Sequence, residues 1–135
     1  MTYLVDTSVL TRLRNPTVKE RLSTEMLRGA IRRTSITDLG SGFSARSGAE
    51  WHTLMGALRQ LPLEPITEAD FERALSVQSG LAAVGHKGRK VPDLIIAAVA
   101  QRVRLTVLHY DRDFDLIAAH TGQPCEWVTA SGTID

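Results

Sequence analysis

The sequence has one cysteine, Cys125, in 135 residues. No internal disulfide can form, which fits a reducing compartment. Aromatic residues are scarce at 5%, and few lie near the acids singled out below. There is no excess of either charge: sixteen basic against fifteen acidic residues leave +1. Bulk electrostatics therefore give no reason to expect a nucleic-acid binder, and any such case must come from where the charges sit. Long apolar runs are missing too. The longest, Leu94 to Ala100, falls far short of the ~18 residues a membrane span needs. Met1-Thr-Tyr-Leu-Val-Asp6 has no basic start and meets an acid after two apolar residues, so no signal peptide is expected. No His/Cys pair has zinc spacing, and no Ser-His-Asp arrangement, P-loop or dinucleotide fingerprint is legible. The chain reads as soluble and cytoplasmic.

What remains is an ordinary globular composition, 43% hydrophobic and 23% charged, which excludes a disordered, collagen-like or disulfide-stapled chain. Its length predicts one domain over residues 1–135 that buries roughly two-thirds of its unfolded surface.

Tyr3-Leu4-Val5 reads as a strand, with Thr7 or Ser8 as a following cap. Asn15-Pro16 opens a helix in which Val18, Leu22 and Met26 share a face, and Gly29 ends it. Residues 32–36 suggest a weak strand, and Ser35 or Thr37 then caps a helix towards Arg46. Ser47-Gly-Ala-Glu50 is a capping box for a helix carrying Trp51, Leu54, Leu58 and Leu61. A small strand at Leu63–Ile66 precedes a helix from Thr67. A basic, glycine-rich loop at 84–90 leads to a buried helix from Pro92 to about Val103. Thr106–His109 is a strand, Phe114–His120 a helix and Cys125–Thr129 a last strand. Alternation of this kind predicts an α/β fold with a central, mostly parallel sheet flanked by helices.

In such sheets ligands sit beyond the carboxyl ends of strands. Asp6 follows the first strand; Asp111, Asp113 and Asp115 follow Thr106–His109; Asp93 begins the buried helix. Each acid alone has a bland role as a cap or turn residue, and Asp115 is assigned that role. Together they repel one another unless a cation neutralises them. An all-oxygen acidic site suits Mg²⁺ or Mn²⁺ rather than zinc, and such a site serves phosphodiester hydrolysis.

Leu4-Val-Asp-Thr-Ser8, Gly42-Phe-Ser-Ala-Arg-Ser47, Pro92-Asp-Leu-Ile-Ile-Ala-Ala98 and Thr106-Val-Leu-His-Tyr-Asp-Arg-Asp-Phe-Asp115 resemble PIN-domain toxins of the VapC type, in order and over essentially the whole chain. The resemblance implies a Mg²⁺-dependent endoribonuclease, with Mn²⁺ able to substitute, from a type II toxin–antitoxin pair neutralised by a VapB antitoxin. It implies a homodimer or a toxin–antitoxin hetero-oligomer. By the same resemblance Asp6 and Asp93 match metal-binding acids, Asp111 and Asp113 lie in the last acidic motif, where either could face the metal and Asp111 is assigned as the third ligand, and Ser8 matches a small hydroxyl residue near the first acid. The family usually has Glu where this chain has Gly40, which implies an impaired enzyme. Asp38, two residues away, is about 200° around a helix and cannot replace it. Close helix packing is the bland explanation of Gly40.

Lys87, Arg89 and Lys90 form a short basic run that is either solvated or a holder of RNA phosphates beside the acids. Arg12, Arg14 and Arg112 are further candidates for phosphate contacts, with Ser8, Lys87, Arg89 and Arg112 assigned to RNA. Tyr110 either stacks on a base or packs against the sheet, and Trp51 is read as core or partner contact. An antitoxin helix is expected in an apolar groove between the helices at 16–28 and 48–61. Two rivals stand beside the enzyme. A phosphoacceptor receiver domain would need a lysine near its last strand, and residues 125–135 have none. A catalytically silent PIN-fold module that binds RNA or a partner would bind without turnover.

Overall fold

The computed structural model of the chain describes residues 1–86 and 88–134. Lys87, assigned to RNA above, lies outside the described residues. Four strands, β1 (Tyr3–Val5), β2 (Ile31–Arg32), β3 (Thr106–His109) and β4 (Cys125–Trp127), form one sheet in the order β2-β1-β3-β4. Every pairing is parallel. The described residues also form seven helices: α1 (Thr7–Leu10), α2 (Pro16–Leu27), α3 (Ser35–Phe43), α4 (Gly48–Leu58), α5 (Glu68–Ala83), α6 (Val91–Val103) and α7 (Asp113–Thr121). Among the described residues no helix is long and apolar enough to cross a membrane.

Strand alternation sends side chains to two cores. Leu4 and Val107 pack with α5, α6 and α7 through Leu81, Ile96, Val99 and Phe114. Tyr3, Val5 and Leu108 pack on the opposite face with Val9, Val18, Leu22 and Leu58. Full burial of each such aliphatic side chain contributes about 1.5–3 kcal/mol. Helix α6 is buried continuously from Asp93 to Ala100, as its all-round apolar surface requires. Asn15 caps α2 by accepting from the Thr17 and Val18 N–H groups at 2.9 and 3.3 Å. Ser47 does the same for α4 through the Glu50 N–H at 3.1 Å.

Four local expectations need correction. The strand expected at 32–36 is Ile31–Arg32. Thr34 is the α3 cap, not Ser35 or Thr37: its hydroxyl accepts from the Thr37 N–H at 3.1 Å. Helix α3 stops at Phe43 rather than near Arg46. The strand at Leu63–Ile66 reduces to one isolated bridge between Arg33 and Leu63, because Pro62 and Pro65 bracket it and offer no N–H to a ladder.

The chain leaves β1 towards β2 on one side and returns to β3 on the other, continuing outward to β4. Connections from β1 and β3 thus diverge, which opens a crevice at their carboxyl ends. Val5 and Leu108 pair in register there. Asp6 follows the first strand, and Asp111 lies just beyond the second.

Candidate active site

Asp6 is extended and caps α1; its Oδ2 accepts from the Ser8 N–H at 3.0 Å. Its own N–H donates to the Leu108 carbonyl at 2.9 Å, which ties the β1 end to β3. Ser8 Oγ accepts from the Tyr110 N–H at 2.8 Å. The hydroxyl assigned to RNA therefore already holds α1 against the end of β3, although Ser8 also lines the crevice.

Pro92 fixes the first turn of α6 and Asp93 follows it. Asp93 is buried, and its Oδ2 has no hydrogen-bond partner. Burial, then the neighbouring Asp6 and Asp111, push its pKa up to about 8. Asp6 is also raised, mainly by burial, against the pull of Ser8. At the end of β3 the Asp111 N–H donates to His109 Nδ1 at 3.1 Å. Burial drives the His109 pKa down to about 4, so the imidazole is neutral at pH 7. With Nδ1 accepting, its proton sits on Nε2. Asp111 Oδ1 accepts from the Asp113 N–H at 2.9 Å, forming the turn into α7. The other oxygen of Asp111, Oδ2, accepts from the Lys90 ammonium.

Asp93, Asp111 and Asp113 bring ligand oxygens within 4.8 Å of one another. Asp6, assigned with Asp93 and Asp111 to the metal, is outside this tight group but lines the same cavity of about 480 Å³. The group includes both Asp111 and Asp113. Lys90 reaches into it: its ammonium donates to Asp111 and lies 3.8 Å from Asp93 and 3.8 Å from Asp113. Burial opposes the Lys90 charge, but these acids outweigh it and raise its pKa. Asp111 is held below the ordinary carboxylate value because Lys90 and the Asp113 N–H outweigh burial. Arg89 Nη1 is 2.8 Å from Asp113 Oδ1, so this second residue of the basic run is turned inward. The sequence contains a signal for this arrangement: Lys90 precedes Asp93 by three residues, one helical turn.

Gly40 lines the cavity. A Cβ on it would meet Thr7 Oγ1 at 2.6 Å and Cγ2 at 3.1 Å. Thr7 fills the space, so close packing of α1 on α3 accounts for the glycine. Asp38 pairs with Arg33 and does not line the cavity.

Arg12 lines the cavity and places its guanidinium 4.9 Å over the Tyr110 ring. Tyr110 is buried against the sheet edge and its hydroxyl donates to the Ile134 carbonyl at 2.8 Å. Arg112 lines a neighbouring hollow, and Arg14 a groove. Asp115 is exposed and accepts from the Trp127 indole at 3.0 Å. Trp51 is 40% exposed and lies across Gly42, whose Cβ would come 2.7 Å from the indole nitrogen. The apolar groove, about 560 Å³, is walled by α4, the end of α3 and the segment after α1, including Leu10, Leu13 and Leu54. Residues 16–28, expected to form one wall, do not line it, because α2 packs its apolar face onto the sheet instead.

Residues 3–119 match the PIN domain family model. Ribonuclease VapC51 of Mycobacterium tuberculosis is 52% identical over 133 residues, covering 98% of this chain and 97% of its own length. Ribonuclease VapC21 of the same species is 47% identical over 134 residues, covering 97% and 96%. Among solved structures, the DNA-bound VapBC of Salmonella typhimurium matches with a TM-score of 0.79 at 18% identity, covering 96% of this chain and 99% of that one. VapBC2 of Rickettsia felis, bound to a promoter DNA fragment, matches at 0.76 and 16%, covering 94% and 98%. At such identity the structural likeness concerns the fold alone.

Proposed function

The chain belongs to the PIN-domain family, among its VapC members, and from that premise we propose that it is a divalent-metal-dependent endoribonuclease toxin, neutralised by a VapB-type antitoxin. Asp93 carries the reading: a buried carboxylate with a partnerless oxygen, grouped with two more acids beyond the ends of parallel strands. This donor set is all carboxylate oxygen, which fits Mg²⁺ or Mn²⁺. Asp93, Asp111 and Asp113 would hold the ion, with Asp6 in the same cavity. When bound, the ion supplies polarisation of a phosphoryl oxygen and an activated water.

The protein's own residues do the rest. Arg89 fixes Asp113, and neutral His109 fixes the Asp111 backbone. Lys90 neutralises the acids until a cation takes its place, and its ammonium is then available to a substrate phosphate. The groove beside α4 is offered to an antitoxin helix. Assembly is a homodimer or a toxin–antitoxin hetero-oligomer, in the cytoplasm.

Gly40 leaves the cavity without the Glu that the family usually carries, and cleavage is correspondingly slow. Mapping RNA cut sites for the natural chain, Gly40→Glu and Asp6→Asn tests this, with Thr7→Ala added to make room at position 40. Cleavage should rise with Glu in the Thr7→Ala background and vanish with Asp6→Asn. Fast cleavage with Gly40 that does not rise would reject the impairment.

A second reading, a catalytically silent module that binds RNA or a partner, draws on Lys90, which balances the acids with no metal. Mn²⁺ or Mg²⁺ binding without turnover in every variant would favour an impaired enzyme beyond repair at position 40. No metal binding at all would favour the silent module.

A further inference from the structure

Beyond Asp111, next to the acidic cavity, lies a second hollow of about 460 Å³ between the β3–α7 turn and the chain after β4. The two share Arg12, Tyr110 and Asp111. The remaining wall includes Arg112, Trp127 and the Ser131–Gly132 turn. Its volume is in the range of small-ligand sites, ~300–1,000 Å³.

The wall is set in advance. Tyr110 Oη donates to the Ile134 carbonyl and accepts from the Ile134 N–H, both at 2.8 Å, so the segment after β4 is pinned over the site. The Trp127 ring stands edge-on to Tyr110, centroids 5.2 Å apart at 89°. Its indole N–H is held by Asp115. Arg112 is exposed and, unlike Arg89, enters no ion pair among the described residues.

A cavity of carboxylates repels a polyanion, so a strand that enters it needs cations on either side of the reacting phosphate. A hollow that combines guanidinium groups with an indole and shares a wall with that cavity suits one nucleotide of a single strand: Arg for phosphate, the ring for an unstacked base. We propose that this hollow is a nucleotide subsite, taking the phosphate and base next to the cleaved phosphodiester of a single-stranded RNA. The proposal rests on the reading of the acidic cavity as an RNA-cleaving site.

The test is binding, not turnover. Anisotropy of a short, labelled, 2′-O-methylated single-stranded RNA is followed with Mg²⁺ over a salt series. Arg112→Gln should weaken binding about 10-fold and lower the salt slope by about one, while Arg112→Lys keeps most of the slope. In a Trp51→Phe background the remaining tryptophan besides Trp51, Trp127, should be quenched by the RNA, and an abasic oligomer should not quench it. Equal affinity and slope for Arg112→Gln, or displacement of the RNA by an acidic peptide of matched charge, overturns the subsite. Tight, Arg112-dependent binding, with no cleavage of the unmodified RNA by the Thr7→Ala/Gly40→Glu protein and no metal binding, would leave the subsite standing and remove the nuclease reading. Cleavage with no effect of Arg112 would do the reverse.

Discussion

The Lys90 ammonium stands 3.8 Å from Asp93 Oδ2, a buried oxygen without a hydrogen-bond partner. The site is thus balanced by a half-exposed lysine of the protein's own where a divalent ion would be expected. Removing that cation separates two effects. Lys90→Met should lower the melting temperature of the metal-free protein, because the neighbouring carboxylates lose their counter-charge. It should also tighten Mn²⁺ binding by about 10-fold, since a positive charge near 4 Å no longer competes. Mn²⁺ titration of both proteins by electron paramagnetic resonance checks this. Weaker Mn²⁺ binding by Lys90→Met would mean that Lys90 organises the site rather than competes for it.

The pH dependence of stability follows from two buried groups with opposite signs. Asp93 titrates at about 8 in the fold, against about 3.9 in an unfolded chain. The native state therefore holds more protons between those values, and this contribution falls as pH rises. His109 titrates at about 4 in the fold, against about 6.5 unfolded, so its contribution rises with pH across that window. The two oppose each other up to about pH 6.5; above it the His109 contribution is complete and Asp93 lowers stability, in the same direction as Asp6, which burial also raises. Urea unfolding in chelator should show stability declining from about pH 6.5 to 8, by at most about 1.4 kcal/mol per pH unit. Asp93→Asn should flatten the decline. Rising stability over that range would contradict the burial assigned to Asp93.

Thr7 and Gly40 are coupled by contact. Gly40→Ala alone should destabilise the protein by about 1–3 kcal/mol, although alanine favours a helix by about 1 kcal/mol over glycine. Rotating Thr7 does not help, because Oγ1 and Cγ2 both lie within 3.1 Å of the added carbon. Thr7→Ala should relieve the strain, and a double-mutant cycle read by chemical denaturation should show a favourable coupling. Additive effects would show that something other than Thr7 resists a side chain at position 40.

Much of this was legible where one local signal had no competitor. Asn15-Pro16 and Ser47–Glu50 each start a helix in only one way, and Tyr3–Val5 and Thr106–His109 are short runs of strand-forming residues that end close to their acids. Thr34-Ser-Ile-Thr37 was ambiguous because β-branched and hydroxyl residues serve a strand or a cap equally well. The cap prevailed, with Thr37 Oγ1 donating to the Val5 carbonyl at 3.0 Å. The acids could be named from their positions after strands and, for Asp93, at the start of a buried helix, but their grouping could not. Whether Asp6 or Asp113 joins Asp93 and Asp111 depends on the turn made by Asp111 with the Asp113 N–H and on the pull of Arg89, neither of which leaves a spacing pattern. Of the two roles read for Trp51, core or partner contact, the core role fails for a simpler reason. Helical periodicity gives the side on which a residue lies, but Gly42 lets the indole lie across α3 at the surface instead of entering a core.

The most direct measurement is cleavage of a single-stranded RNA pool over a Mg²⁺ titration, by the Thr7→Ala/Gly40→Glu protein with and without Asp93→Asn. The acidic cavity predicts cleavage that needs the cation, stops in chelator and falls by roughly 100-fold or more when Asp93 is neutralised. Cleavage that persists in chelator, or that is untouched by Asp93→Asn, would contradict a metal-dependent ribonuclease site at these carboxylates.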